Sequence, residues 1–174
     1  MKKILAPIAV CALAGLLPIS ASSTSPAPLQ ASGELAPTQG NVTKGKVTFK
    51  QEAGGIRITA EVSGLTPGWH GFHVHEIGDC SAPDAMSAGG HFNPHGTDHG
   101  KAGAHVHHAG DLPSLEADAN GNAKLNALLT GITLAGEHTI IGRSLIVHAD
   151  PDDYTTQPTG NSGPRVACGI IKAE

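Results

Sequence analysis

Gly71-Phe72-His73-Val74-His75-Glu76 sets two imidazoles two residues apart in an extended, aliphatic context. Successive side chains of a strand point to opposite faces, so His73 and His75 share a face, and that face can hold a metal ion. More imidazole follows in Gly89-Gly90-His91-Phe92-Asn93-Pro94 and at His95, His99, His105, His107 and His108, with a carboxylate at Asp111. A further histidine, His148, ends the strand-like run Gly142-Arg143-Ser144-Leu145-Ile146-Val147-His148. Imidazole and carboxylate ligands without a cysteine cluster suit zinc or copper(II), which points to a non-thiolate metal site spread over several strands and loops. Three nitrogens with one carboxylate make a closed tetrahedral zinc site, whereas four nitrogens in a distorted plane suit copper(II) and leave an axial opening where chemistry can occur.

The elements that must position these ligands read as strands. The 174 residues amount to one domain. Their 23 Gly, 12 Pro and 11 His against 3 Phe, 1 Trp and 1 Tyr favour short strands and loops around an aliphatic core. Val47-Thr48-Phe49, a turn at Gly54-Gly55, and Ile56, Ile58, Ala60 and Val62 alternating with polar residues describe a hairpin with one buried face. Leu65-Thr66-Pro67-Gly68 turns the chain into the His73/His75 strand. Ile77 to Leu112 has little periodicity but many ligand-type residues, so it is expected to be a functional loop ordered by metal. Leu115 to Leu128 brackets Asn120-Gly121, a two-residue hairpin signal. Ile132 to Glu137 is expected as loop or short strand, Arg143 to His148 as a strand, Asp150 to Gly163 as a second long polar loop, and Val166 to Ile171 as the closing strand. This pattern gives an antiparallel sandwich or barrel. No basic run favours a nucleic-acid partner.

Lys2 and Lys3 precede an apolar run from Ile4 to Ile19 and the small residues Ser20, Ala21 and Ser22, the layout of a secretory signal peptide over residues 1–21. Its loss removes two lysines and no acid, taking the formal charge from −4 to −6, and leaves no expected membrane attachment. Lipidation of Cys11 is disfavoured by Val10 directly before it. Residues 22–40, rich in Ser, Pro, Ala and Gly, read as a flexible leader, and residues 41–174 as the folded domain. Without Cys11, Cys80 and Cys168 remain, an even pair that in an exported chain reads as one disulfide, two free thiols being the alternative. A periplasmic or secreted location is therefore expected.

GFHVHEIGDC, GGHFNP, HHAGDL, GRSLIVH and GNSGPRVACG, in this order, resemble the signature blocks of the copper/zinc superoxide dismutases, bacterial exported members included, from about Gln39 to Ile171. The resemblance implies an all-β, eight-stranded antiparallel Greek-key barrel of immunoglobulin-like sandwich character with two long functional loops. It implies copper on His73, His75, His91 and His148, and zinc on His91, His99, His108 and Asp111, His91 bridging the two. It implies that Asp152 accepts hydrogen bonds from one imidazole of each set, that Arg165 holds the substrate anion at the channel floor with Thr159 narrowing the channel, and that Cys80 and Cys168 tie the loop after His75 to the last strand. The activity implied is dismutation of superoxide to dioxygen and hydrogen peroxide, with His91 taking and returning a proton. The rival reading is an exported copper- and zinc-binding protein, buffer or chaperone-like, without turnover.

Against that pattern, His95, His105 and His107 fall between the matching positions and read as solvated loop residues, and His70 as a structural hydrogen-bonding residue. The loop from Asp153 to Thr159 is short, with Pro158 where animal relatives often carry a lysine, so guidance of an anion is left to Arg165, the metals and Lys101. The segment from Cys80 to His91 is longer than in animal relatives and bears on subunit contacts; a homodimer is the assembly the resemblance allows.

Overall fold

The structure, a computed structural model, describes residues 29–174. The expected signal peptide and the first part of the leader lie outside the described residues. Ten strand segments follow in chain order: β1 (Gln30–Pro37), β2 (Lys44–Glu52), β3 (Gly55–Ser63), β4 (Gly68–His70), β5 (Phe72–His75), β6 (Leu115–Ala117), β7 (Ala123–Leu129), β8 (Ser144–His148), β9 (Arg165–Ile170) and β10 (Lys172–Ala173). Among the described residues the only helical piece is a 3-10 turn at Met86–Ala88, and no helix is long and apolar enough to cross a membrane.

Every strand pair is antiparallel, and the sheet order is β4-β6-β7-β3-β2-β1-β9-β8-β5, with β10 beside β1. The two ends of this order, β4 and β5, belong to one chain run broken at Gly71, so the sheet curls until its ends meet. β9 and β10 are likewise one run broken at Ile171, and counted as runs the barrel has the expected eight strands. Neighbours distant in sequence, β3 with β7 and β1 with β9, come from connections that cross the barrel ends, the Greek-key arrangement.

The alternation read from the sequence is the one that fills the barrel. Val47, Phe49, Ile56, Ile58, Ala60 and Val62 are all buried against Leu115, Leu145, Val147 and Ile171. Two turns differ from expectation. Glu52 pairs with Gly55, which places the first turn at Ala53-Gly54, one residue earlier. Ala117 pairs with Ala123, so Asn120-Gly121 sits in a five-residue loop. That loop is organised by Asp118, whose Oδ1 accepts from the amides of Asn120 at 2.8 Å and Asn122 at 3.0 Å, an alternative to the tight two-residue turn.

The larger correction concerns the expected leader: residues 30–37 form β1, inside the sheet order between β2 and β9. Ala31, Gly33 and Leu35 face inward, but two of the three are so small that their alternation carries little apolar signal. A Cβ at Gly33 would stand 2.8 Å from Leu145 Cδ1, so the small residue is what lets β1 lie over β8. The Cys80–Cys168 disulfide is formed, with a Cα separation of 5.8 Å. Closing 88 residues contributes about 4 to 5 kcal/mol in the chain-entropy model and pins the loop after β5 to β9.

Candidate metal centre

β5 and β8 are paired and wholly buried, and they carry three of the predicted ligands on a rigid ladder: His73 opposite Ile146, His75 opposite Ser144, and His148 at the end of β8. The other edge of β5 is covered by the long loop. The Val74 amide donates to Gly110 O at 2.8 Å and the Phe92 amide to Val74 O at 2.8 Å, with bridges at His73/Asp111 and His75/His91. The loop is thus laid along the strand as a makeshift neighbour, which brings His91 and Asp111 to the ligands on β5.

Two groups of ligand-type atoms result, each within 4.8 Å: His73, His75, His91 and His148, and His91, His99, His108 and Asp111. His91 belongs to both. In the second group Asp111 Oδ1 lies 3.0 Å from His91 Nδ1, 3.0 Å from His99 Nδ1 and 3.6 Å from His108 Nδ1, while His91 and His108 Nδ1 are 3.4 Å apart. A tetrahedral zinc with bonds near 2.0 to 2.1 Å has ligand-to-ligand edges of roughly 3.3 Å, which these separations fit. Asp111 Oδ2 faces the other way and accepts from the amides of Gly100 at 3.1 Å and His108 at 2.8 Å, so it also ties the loop to itself.

The first group is recognised by what its nitrogens lack. His73 Nδ1, His75 Nε2, His91 Nε2 and His148 Nε2 are buried and have no hydrogen-bond partner. Buried polar atoms without partners are costly, and four converging on one point call for a cation that accepts nitrogen lone pairs. The opposite ring nitrogens are all engaged: His73 Nε2 donates to Asp152 Oδ2 at 2.8 Å, His75 Nδ1 to Gly89 O at 2.9 Å and His148 Nδ1 to Gly163 O at 3.1 Å. A carbonyl or carboxylate can only accept, so each outer nitrogen carries the proton and the inner one keeps its lone pair. The donor set fits copper(II) in the first group and zinc in the second.

Asp152 joins the groups. Its Oδ2 holds His73 and its Oδ1 accepts from His99 Nε2 at 2.9 Å and from the Tyr154 amide at 2.8 Å. The fit leaves no space behind it, since a Cβ at Gly160, where φ is +66°, would overlap Asp152 Oδ1. Without metal the titration behaviour follows from these contacts. Burial lowers His73 to about 4 against the opposing hydrogen bond to Asp152, and lowers His148 to about 3. Burial also works on His99, yet its hydrogen bonds to Asp111 and Asp152 raise it to about 9. Burial works against ionisation of Asp111 and Asp152, but their histidine partners and amide donors outweigh it and hold both well below the usual carboxylate range.

A cleft of about 440 Å³ reaches the first group and is lined by His75, His148, Thr159 and Arg165. Arg165 donates through Nη1 to Ala85 O and through Nη2 to Gly89 O, both at 2.7 Å, so its cation is held beside the inner histidines by the carbonyls of the loop. Asp84 lines the same cleft with the opposite charge. Lys101 lines a separate cleft with Trp69 and Tyr154, its Nζ 5.7 Å from the centre of the Tyr154 ring. His105 is exposed, and His107 turns its Nδ1 to His108 O at 2.6 Å. His70 sets Nδ1 at 2.8 Å from His148 O and Nε2 at 2.8 Å from Thr66 O, bracing the end of β8. Sequence reading missed Asp84, the orienting carbonyls of Gly89 and Gly163, and Gln157, whose side-chain amide accepts from His99 N at 2.8 Å and donates to His99 O at 3.0 Å. Gln157, a polar residue in the second long loop, was visible; the carbonyls were not.

The copper/zinc superoxide dismutase family model matches residues 43–171. A protein of Onchocerca volvulus described as superoxide dismutase [Cu-Zn] is 43% identical over 148 residues, covering 79% of this chain and 93% of that protein. Among solved structures, a crystal structure of the clock protein EA4 superposes with a TM-score of 0.77 at 36% identity, over 87% of this chain and 99% of that one. With the family model spanning most of the barrel and both histidine groups inside the matched segment, the chain belongs to the copper/zinc superoxide dismutase family.

Proposed function

We propose that the two histidine groups divide the labour of superoxide dismutation, the activity of this family, as follows. His73 through Nδ1, and His75, His91 and His148 through Nε2, hold copper; His91, His99 and His108 through Nδ1, and Asp111 through Oδ1, hold zinc. The observation that carries this is the set of four buried, partnerless ring nitrogens facing one point beneath the cleft. When bound, copper would supply the one-electron chemistry by which two superoxide anions and two protons become dioxygen and hydrogen peroxide. Arg165 attracts and orients the anion at the cleft floor, where Thr159 narrows the approach. His91 would take up one proton on Nε2 while that nitrogen is free of the metal and hand it to the product. Asp152 keeps the proton of His73 on Nε2 and that of His99 on Nε2, so that both inner nitrogens stay directed at their metals.

Export to the periplasm or the medium is part of the same reading, supported by Lys2, Lys3 and the apolar run behind them and by a disulfide of the kind oxidising compartments maintain. In that compartment the mature chain is free of the membrane and works as a monomer or as the homodimer the resemblance allows, which sedimentation distinguishes. The decisive experiment is metal analysis of purified protein joined to a xanthine-oxidase-coupled assay. One copper and one zinc per chain with dismutation proportional to copper is expected. Full metal content without dismutation above background would return the chain to a metal-binding role without turnover.

A further inference from the structure

Two histidines outside both groups stand together on the surface. His95 lies in the turn after Pro94 and His138 in the β7–β8 connection, and their rings are 5.0 Å apart between centroids at 89°. Both residues are exposed, and neither ring has a hydrogen-bond or ion-pair partner among the described residues. Ring pairs that share a ligand group in this molecule have similar separations. His91 and His108 are 5.4 Å apart at 88°, with Nδ1 atoms 3.4 Å apart, and His73 and His148 are 5.0 Å apart at 66°.

The fold, rather than any attraction between the rings, sets this approach. The His95 turn is clamped by Asn93, whose Nδ2 donates to Thr97 O at 2.8 Å and whose Oδ1 accepts from Thr97 N at 3.1 Å. The His138 loop is held by the Thr133/Thr139 bridge and by Ile140 N donating to Thr133 O at 3.0 Å. Arg143 fastens the two loops together, with Nε donating to Thr139 O at 2.9 Å, Nη1 to Glu76 O at 2.8 Å, and its guanidinium 3.6 Å from the centre of the Phe92 ring. Two imidazoles presented from separately braced turns are brought together at little backbone cost, so that mainly side-chain rotation remains to be fixed on binding.

We propose that His95 and His138 form a third metal site, on the surface and separate from the two buried groups. Its ligand is a divalent transition cation that favours imidazole, copper(II) most tightly by the general affinity order, with water completing the coordination. Two neutral nitrogens at an open surface bind weakly and exchange quickly, which suits capture of scarce metal on the outside of the loop that carries His91, His99 and His108.

The test titrates protein already loaded with copper and zinc with further copper(II), following heat and the paramagnetic resonance spectrum. One additional equivalent is expected, showing nitrogen coupling. His95→Gln and His138→Gln should each weaken it at least about tenfold, as a two-point attachment becomes a one-point attachment. His105→Gln should leave it intact, and dismutation per resident copper should be the same in all three variants. Absence of the additional equivalent, or an equal affinity in the wild type and in the His95 and His138 variants, would overturn the site and leave the pair as an ordinary edge-to-face contact.

Discussion

Asp152→Asn exchanges one oxygen for an amino group at the carboxylate that joins both metal groups, and the geometry says which group suffers. Oδ1 serves two donors, His99 Nε2 and the Tyr154 amide, whereas Oδ2 serves His73 Nε2 alone. Asparagine keeps one acceptor, and it is best placed where two donors wait, on the His99 side. Its amino group then faces the Nε2–H of His73, donor against donor. His73 either loses its partner or moves its proton to Nδ1, the nitrogen aimed at copper. A hydrogen bond to a charged group contributes about 1.5 to 3 kcal/mol, and about 1.4 kcal/mol is tenfold in an equilibrium constant. Copper affinity should therefore fall about 10- to 100-fold, the range for loss of a ligand-orienting partner. Zinc keeps the acceptor that orients His99 and should lose less than about tenfold. Competition against a chromogenic chelator, run separately for each metal, reads both constants. A zinc loss equal to or greater than the copper loss would refute the assignment of the two carboxylate oxygens, and an unchanged copper constant would refute the orienting role itself.

Asp111→Ala removes a zinc ligand and also the acceptor for the Gly100 and His108 amides, so calorimetry should show a lower unfolding temperature even in metal-free protein, with zinc content falling before copper content. Metal-free protein should be most stable near pH 6.5: the lowered values of His73 and His148 give stability that is present above about 6.5 and lost as pH falls toward 4 and 3, while the raised value of His99 gives stability that is present below 6.5 and lost as pH rises through about 9. A monotonic melting profile across this window after chelator dialysis would contradict it. Arg165→Ile should cut the second-order rate per bound copper about tenfold or more, Arg165→Lys less, and the wild-type rate should fall with added salt. Asp84→Asn, which removes the opposing charge from the same cleft, should raise that rate about 1.4- to 5-fold, the scale of an exposed charge interaction of 0.2 to 1 kcal/mol.

The histidines that the fold gathers into two groups were legible because imidazole is uncommon and its spacing is informative: His73 and His75 two apart on a strand, His91 after a Gly-Gly pair, His148 at a strand end. The barrel was legible wherever large aliphatics alternate, as from Ile56 to Val62. It was illegible at β1, where Gly33 replaces an inward side chain because Leu145 already occupies the space. The turn at Asn120 was misread because the Asp118 carboxylate competes with the tight turn, and a carboxylate two residues upstream looks like any surface acid. Least legible were the partners that orient the ligands. Every residue has a carbonyl, and only the completed fold chooses Gly89 for both His75 and Arg165, and Gly163 for His148.

The scaffolds beneath the two groups differ, and that difference governs how damage spreads between them. His73, His75 and His148 stand on paired, buried strands whose ladder and core persist without any metal. His99, His108 and Asp111 stand on a loop whose order rests on a few amide contacts, the Gln157 clamp and the ion itself. The groups communicate by two independent routes, the shared ring of His91 and the shared carboxylate of Asp152. Binding linkage requires the coupling to be equal in both directions: whatever factor zinc adds to copper affinity, copper adds to zinc affinity. The structural response need not be equal. Loss of copper should leave a strand-borne site in place, whereas loss of zinc should loosen the segment from His91 to Asp111 and with it the orientation of His91, while the carbonyls of Ala85 and Gly89 that hold Arg165 stay fixed by the disulfide and by the Ile77–Ala88 and Glu76–Gly90 hydrogen bonds. Zinc should therefore act on catalysis through the bridging imidazole, with the Arg165 guanidinium left in place, and comparing the rate per copper with copper affinity in zinc-free protein tests this: a fall in rate per copper beyond what copper affinity explains would contradict it.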